Sequence, residues 1–485
     1  MLDGCMRAVA IRHRMSRPAP LPVAFDAVGL PADLLLATER MGFSEMTPIQ
    51  SAALPPILAG RDVRGLAKTG SGKTAAFGLG LLYRVPPRQR PGPPTALVLG
   101  PTRELVEQVA ASLRQLAQTR ANTRVLTLCG GRPLRPQRNA LQQGVHIVVG
   151  TPGRVADHMR RGNLDVSALT MVVLDEADRM LDMGFTEEVS GILDRCPEAR
   201  QTLLFSATFP KTIDTLSASI QRDPITVTVD TTVSREALRQ EVVYCERNRR
   251  YETVAAVLAW HDPDAALVFC ETRQQCDGLQ QFLTRCGASV LTLHGGLEQR
   301  ERDDVLVQFA NGSARFLVAT DVAARGLDIP ALPLVVQAEL ARDPQVHVHR
   351  IGRTARAGAE GLAVALVASE READRLALIE TELERSIPVT TPPVDAPPRF
   401  RPSRYRTLLI LAGRKHKVRK GDVLGALVKD GGIPPKAIGD IRLAQTTCAV
   451  ALERAHAVKA LRFLRRGRIK KVRVRATLLG SDRAG

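Results

Sequence analysis

Residues 171–185 read MVVLDEADRMLDMGF. An apolar run ends abruptly in Asp175, Glu176 and Asp178, three acids set almost side by side. Like charges this close repel, and each resists burial unless a cation or a hydrogen-bond donor offsets the cost. A solvated acidic turn at a strand end and a metal site both fit this stretch taken alone. The rest of the chain decides between them.

From residue 95 to 230, short apolar runs alternate with helix-like stretches: TALVLG, TRVLTLCGG, VHIVVGTPG, MVVLDEAD, QTLLFSATFP and ITVTVD. A second series follows with ALVFCETR, SVLTLHGG, ARFLVATD, LPLVVQAEL and GLAVALVAS. Apolar strands alternating with helices indicate parallel sheets covered on both faces. The pattern predicts an α/β protein with two such domains in tandem, joined near 222–240. The expected boundaries are a flexible N-terminal extension at 1–21, a first domain at 22–225 and a second at 226–385. PVTTPPVDAPPRFRP (388–402) predicts a stiff, extended spacer within 386–403, followed by a third domain at 404–480.

Charge is distributed unevenly. Residues 399–485 hold 23 Lys+Arg against 5 Asp+Glu, a net of +18, which equals the net charge of the whole 485-residue chain. Residues 1–398 are therefore balanced, and the excess marks a polyanion-binding appendage on a neutral body. No apolar run approaches the roughly 20 residues of a membrane span. The start shows no uninterrupted apolar stretch of a secretory signal. The eight cysteines form no CxxC pair, which argues against a zinc site or disulfide framework and for a reducing compartment.

AKTGSGKT (67–74) has the composition of a phosphate-binding loop. Its glycines let backbone N–H groups approach a triphosphate, Lys73 reaches the β- and γ-phosphates, and Thr74 offers a hydroxyl to Mg²⁺. The general pattern expects glycine where Ala67 stands. In nucleotide-binding α/β domains ligands sit beyond the carboxyl ends of the strands, where the acidic turn also falls. Asp175 then reads as a Mg²⁺ ligand and Glu176 as the group that orients and activates the attacking water. Clustered carboxylates are tolerable where a dication shares their field.

With these motifs in order, the chain closely resembles a DEAD-box ATP-dependent RNA helicase over roughly residues 25–370. The resemblance implies two RecA-like domains that use ATP and Mg²⁺. GFSEMTPIQ (42–50), with Phe25 upstream, resembles the adenine-reading motif: Gln50 would read the adenine edge, Thr47 would support it, and Phe25 would stack on the base. Thr69, Gly70, Ser71 and Gly72 would complete the phosphate cradle. PTREL with Pro101, Thr102 and Arg103, the Gly130–Gly131 pair, and TPGR with Thr151, Pro152 and Arg154 match segments that grip the RNA backbone. Asp178, Ser206, Thr208, His349 and Arg350 match residues that couple hydrolysis to strand separation. In the second domain Arg302 and Thr320 would contact RNA, Gly326 and Asp328 the nucleotide, and Arg353 and Arg356 the γ-phosphate. The arginines of HRIGRTAR, spaced by three, are expected on one side of a helical turn.

The basic segment 406–479 reads as strand, helix, strand, strand, helix, strand, the order of an RNA-recognition motif. That module usually stacks bases on aromatics of its central strands, yet LLILA and CAVAL contain none. The basic residues gather instead in GRKHKVRK (Arg414, Lys415, Lys417, Arg419, Lys420) and LRRGRIKKVRVR (Arg465, Arg466, Arg468, Lys470, Lys471). They predict a groove that reads RNA shape and phosphate. GDVLGALV and IGDIRL resemble the C-terminal domain of the bacterial DbpA subfamily, which implies binding to large-subunit ribosomal RNA and to pre-ribosomal particles. The expectation is a cytoplasmic monomer without membrane contact. A DNA-translocating helicase fits the Gln50 motif poorly. A non-enzymatic RNA clamp would not retain Lys73, Thr74, Glu176, Arg353 and Arg356 together.

Overall fold

A computed structural model describes residues 23–67, 70–85, 92–209, 211–229, 238–324, 332–355, 360–466, 468–470 and 472–480. The first compact unit runs to Thr231. Its strands are β1 (Val63–Leu66), β2 (Ala96–Leu99), β3 (Val125–Leu128), β4 (Ile147–Gly150), β5 (Met171–Asp175), β6 (Gln201–Ser206) and β7 (Ile225–Thr228). They pair in the order β3-β4-β2-β5-β6-β1-β7, every pair parallel. Alternate residues of one strand enter different cores: Met171 and Val173 one, Val172 and Leu174 the other. Burial on both faces is why these strands are continuously apolar.

Two features of this sheet depart from the sequence reading. β7 pairs with β1 through Val63↔Ile225, so the boundary expected at 225 cuts a strand of the first unit. β1 itself was invisible, because VRGL is short and carries Arg64 and Gly65. The glycine has a packing cause: a Cβ there would lie 2.6 Å from the ring of Phe205. That ring in turn packs on Phe77 with centroids 5.6 Å apart.

The second unit begins at Thr232. It holds β8 (Leu238–Tyr244), β9 (Ala266–Cys270), β10 (Val290–Leu293), β11 (Phe316–Thr320), β12 (Leu334–Gln337) and β13 (Gly361–Val367). The order is β10-β11-β9-β12-β13-β8, again parallel. The same unit continues into β14 (Tyr405–Ile410), β15 (Ile438–Leu443), β16 (Cys448–Glu453), a short hairpin of β17 (Arg468–Ile469) and β18 (Val472–Arg473), and β19 (Ala476–Leu478). This antiparallel sheet has the order β15-β16-β14-β19. Its first and third elements in the chain are therefore central, as the RNA-recognition pattern requires. Leu408, Ile410, Cys448, Val450 and Leu452 share one core with Ala457, Ala460 and Leu464 of the helix Arg454–Arg466.

The opposite face of that sheet explains its missing aromatics. Thr407 Oγ1 receives a hydrogen bond from Asn311 Nδ2 at 2.9 Å and donates one to Ser313 Oγ at 2.8 Å. Thr407 and Ala451 are fully buried. A face packed on the β11 side of the second parallel-sheet domain has no room for stacked bases, so small residues serve it. The aromatic it does carry, Tyr405, lies against Gly312 and Gly439.

The Pro-rich stretch, expected as a stiff, extended spacer, is tethered at both ends. Val242 N–H donates to Pro388 O and Thr390 N–H to Val242 O, both at 2.8 Å, which lays the chain along β8. Further on, Phe400 meets the ring of Phe316 edge-on at 5.6 Å. Arg401 pairs with Asp262 at 2.5 Å, while Arg315 donates to Asp262 and to the Arg401 carbonyl. Proline removes donors but leaves carbonyls free to accept, so extension is compatible with tethering.

Candidate active site

In the first sheet β5, β6 and β1 are neighbours, and three of the motifs leave their carboxyl ends side by side. Ala67 N–H donates to Ser206 O at 2.9 Å, extending the β1–β6 ladder by one residue. The chain then turns through Gly70 (φ 88°) and Gly72 (φ 95°) into the helix Lys73–Arg84. Those angles favour glycine. At Gly72 a Cβ would also strike Gln50 Nε2 and Thr47 Oγ1, at 2.6 and 2.7 Å.

Gln50 accepts from Thr47 N–H at 2.8 Å and donates to Gly72 O at 3.1 Å. An amide offers two N–H donors and two acceptor lone pairs. One of each therefore remains, the complement of an adenine edge. Phe25 differs from expectation. Its ring is in the core, 4% exposed and stacked on Phe43 with centroids 6.3 Å apart, which leaves little face for a base.

Lys73 Nζ lies 2.8 Å from Asp175 Oδ1, with both side chains almost wholly buried. This is a close charge contact through Oδ1, and among the described residues Asp175 Oδ2 has no hydrogen-bond partner. Burial alone would lower the Lys73 pKa, but the carboxylates of Asp175, Glu176 and Asp178 outweigh it and hold the amine above its usual range. Burial pushes the Asp175 carboxyl up, and Lys73 only partly opposes it. A buried, under-neutralised carboxylate with an unsatisfied oxygen suits a hard dication, which takes oxygen ligands. The residues present fit Mg²⁺.

Glu176 stands at the strand-to-helix turn in left-handed backbone (φ 53°, ψ 52°) and is 4% exposed. Such a conformation costs a non-glycine residue on the order of 1 kcal/mol. Asp178 is the junction of the site. Its Oδ2 accepts from Thr208 N–H (3.2 Å) and Thr208 Oγ1 (3.0 Å). Its own N–H donates to Ser206 Oγ (3.3 Å), and that hydroxyl donates to Thr208 O (2.6 Å). The acidic turn and the SAT segment are thus one hydrogen-bonded body.

The segments expected to face RNA also converge in the first unit. The Arg103 guanidinium lies over the Gly130–Gly131 pair; a Cβ at Gly131 would be 2.0 Å from its Nη1. Thr102 caps the helix Arg103–Leu116, accepting from Leu105 N–H. Pro152 opens the helix Pro152–Arg160, with Thr151 as its N-cap. Sequence reasoning missed Gln137. This buried side chain donates to Cys129 O at 3.1 Å and accepts from Arg154 Nη1 at 2.9 Å. It ties the Gly–Gly turn to TPGR, and His158 Nε2 meets the same oxygen. No local signal marks it, because the helix Leu134–Gln142 reads as an ordinary polar surface helix.

In the second unit Thr320 ends β11 and Arg302 lies in the helix Gln299–Ala310. Arg350 and Arg353 do not share a helix. The helix Pro344–Ile351 stops at Gly352, so it contains His349 and Arg350 but not Arg353, which is 5% exposed beyond it. Thr354 then bridges to Leu332, ending the turn. Thr69, Gly326, Asp328, Arg356 and Lys471 lie outside the described residues.

In the third domain the two basic clusters meet. Lys470 Nζ lies 2.9 Å from Asp422 Oδ1, and Asp422 Oδ2 also accepts from Arg419 N–H at 2.8 Å. Hydrogen bonding from Lys470 and Arg419 holds the Asp422 carboxyl below its usual range. Arg414, Lys415, Lys417, Arg419, Lys420, Arg465 and Arg468 are all exposed; Arg466 belongs to the helix Arg454–Arg466.

Parallel-sheet domains with a phosphate loop, an acidic turn and a SAT segment on adjacent strands define a nucleotide-driven helicase core. Residues 47–216 match the DEAD/DEAH box helicase family, 249–358 the helicase conserved C-terminal domain, and 407–478 the DbpA RNA binding domain. The chain is 48% identical over 450 residues to the ATP-dependent RNA helicase DbpA of Escherichia coli, covering 93% of this chain and 98% of that one. It is 40% identical to the DEAD-box ATP-dependent RNA helicase CshA of Geobacillus kaustophilus, over 76% and 78% of the two chains. Saccharomyces cerevisiae Dbp5 bound to RNA and ADP BeF3 matches with a TM-score of 0.70 and 30% identity, over 76% of this chain and 95% of that one. The chain belongs to the DEAD-box family and is an RNA helicase of the DbpA type.

Proposed function

We propose that the protein hydrolyses ATP when RNA is bound, uses the cycle to open short RNA duplexes, and is directed by its third domain to large-subunit ribosomal RNA in maturing particles. The observation that carries this reading is the bonding of Asp178 to Thr208. Through it, a change at the acidic turn reaches the segment after β6 without slack. Lys73 and the loop backbone bind the phosphates, and Gln50 reads adenine. Asp175 and Thr74 would hold Mg²⁺, which would supply charge neutralisation for the phosphates. Glu176 orients the attacking water and takes its proton as the new P–O bond forms and the bond to the ADP oxygen breaks. Arg353 and Arg356 stabilise the transferred group. Arg103, Arg154, Arg302 and Thr320 hold the RNA backbone, and His349 and Arg350 couple the two events.

The exposed basic clusters supply affinity for the ribosomal RNA through phosphate contacts, and the match of residues 407–478 to the DbpA RNA binding domain supports RNA as the ligand of this domain. We place the protein in the cytoplasm as a monomer. ATP hydrolysis by the full chain should be measured with a large-subunit ribosomal RNA fragment, with unrelated RNA of equal length and without RNA. Stimulation should be greatest with the ribosomal fragment. Equal stimulation by both RNAs removes the targeting claim, and RNA-independent hydrolysis removes the coupling.

A further inference from the structure

Arg350 ties together three strand ends of the second sheet. Its Nε and Nη2 donate to Asp321 at 2.8 and 2.7 Å, directly after β11. Its Nη1 donates to Gln337 Oε1 (3.1 Å), the last residue of β12, and to Glu339 O (2.6 Å). Its guanidinium also lies over Phe269 of β9, 5.2 Å from the ring centroid. One turn earlier on the same helix, His347 is 1% exposed. Its Nδ1 is 2.8 Å from Gln337 Nε2, and its Nε2 is 3.1 Å from Gln240 Oε1 on β8.

The direction of this chain follows from one fact. A guanidinium can only donate, so Gln337 must turn its oxygen to Arg350 and its NH₂ to His347. The imidazole then has to accept at Nδ1, carry its proton on Nε2 and donate to Gln240. A doubly protonated ring would set Nδ1–H against the NH₂ of Gln337. Charge neighbours agree: burial, then Arg350 and Arg385, push the imidazole down to about 4.

We propose that His347 is a positioning residue for the RNA-stimulated reaction. As a neutral Nε2–H imidazole wedged between two buried glutamines, it locks the Gln337 amide and so aims Arg350 at Asp321. Asp321 directly follows Thr320, so the fork bond holds the carboxyl end of β11 where RNA is expected. This role rests on the ATPase reading, and the wild-type assay above tests that reading separately.

The experiment compares full-length wild type, His347→Leu and His347→Gln. Glutamine can accept from Gln337 and donate to Gln240; leucine can do neither. At saturating RNA and ATP, His347→Leu should lose about tenfold or more in kcat with the KM for ATP within about twofold, and His347→Gln should recover most of the loss. Wild-type kcat in His347→Leu, or an equal loss in both variants, overturns the proposal. If the leucine variant does not fold, Gln240→Leu, which cuts only the outer bond, takes its place with a smaller loss of about threefold; unchanged kcat there overturns it too. ¹⁵N-histidine NMR of the wild type should show one imidazole held as neutral Nε2–H down to pH 5, and an Nδ1–H tautomer or titration of every histidine near pH 6.5 also overturns it.

Discussion

Lys73 and Asp175 form a buried pair, 2.8 Å apart, in which each charge is the main compensation for the other. Breaking one side of such a pair is more costly than removing both. Lys73→Met should destabilise the first unit by about 3 kcal/mol, less the relief gained if Asp175 takes up a proton. Lys73→Met with Asp175→Leu should recover much of the loss. Urea unfolding at pH 7 measures both.

Glu176→Gln keeps the shape of the turn and removes the proton acceptor. Binding of ATP and RNA should persist while kcat falls by about a hundredfold or more. Single-turnover hydrolysis beside a nucleotide-binding assay separates the two effects; near-normal turnover would return Glu176 to a structural role.

Arg353 is nearly buried, so its truncation carries a packing cost as well as a catalytic one. Arg353→Ala should lose on the order of a thousandfold in hydrolysis while still binding RNA. A melting curve recorded alongside shows how much of the loss is structural, and Arg353→Lys should recover stability more than activity because it lacks the guanidinium fork.

Acid should weaken the second unit through His347. The folded-state pKa is near 4, while the unfolded imidazole titrates near 6.5. The unfolded chain therefore takes up a proton that the folded chain refuses. The stabilisation is complete above about pH 6.5 and is lost as pH falls from there to about 4, by on the order of 3 kcal/mol. His347→Gln should remove this part of the pH dependence, read from urea midpoints at pH 7 and 4.5.

The tether sets where the chain can be shortened. A protein ending at 402 keeps Phe400 on Phe316 and Arg401 on Asp262; one ending at 390 loses both, and Arg315 loses the Arg401 carbonyl while keeping Asp262. The shorter form should melt several degrees lower than the longer one. Both should lose most of the salt-dependent RNA affinity, since the +18 of excess charge lies beyond 398.

Much of this protein is local, and local features are legible in a chain of residues. Apolar runs such as MVVL and TLLF announced strands buried on both faces, because such strands lose the alternation of a half-exposed sheet. The phosphate loop, the acidic turn and the basic clusters could be read because each motif places its chemistry within a few consecutive positions. What the sequence could not show arises between residues far apart in it. β1 needed Phe205 of β6 to explain Gly65, and Gln137 acquires meaning only where Cys129 and Arg154 meet it. Phe25 reads as a stacking ring until Phe43 is placed on it, and 388–402 reads as a stiff, extended spacer until Val242 of β8 donates to the Pro388 carbonyl. His347 is one more apolar-flanked histidine until two glutamines and an arginine, from 107 residues before it to three after, dictate where its proton sits. Sequence determines which groups exist and their short-range order; hydrogen-bond direction, burial and charge compensation depend on which groups the fold brings within about 3 Å.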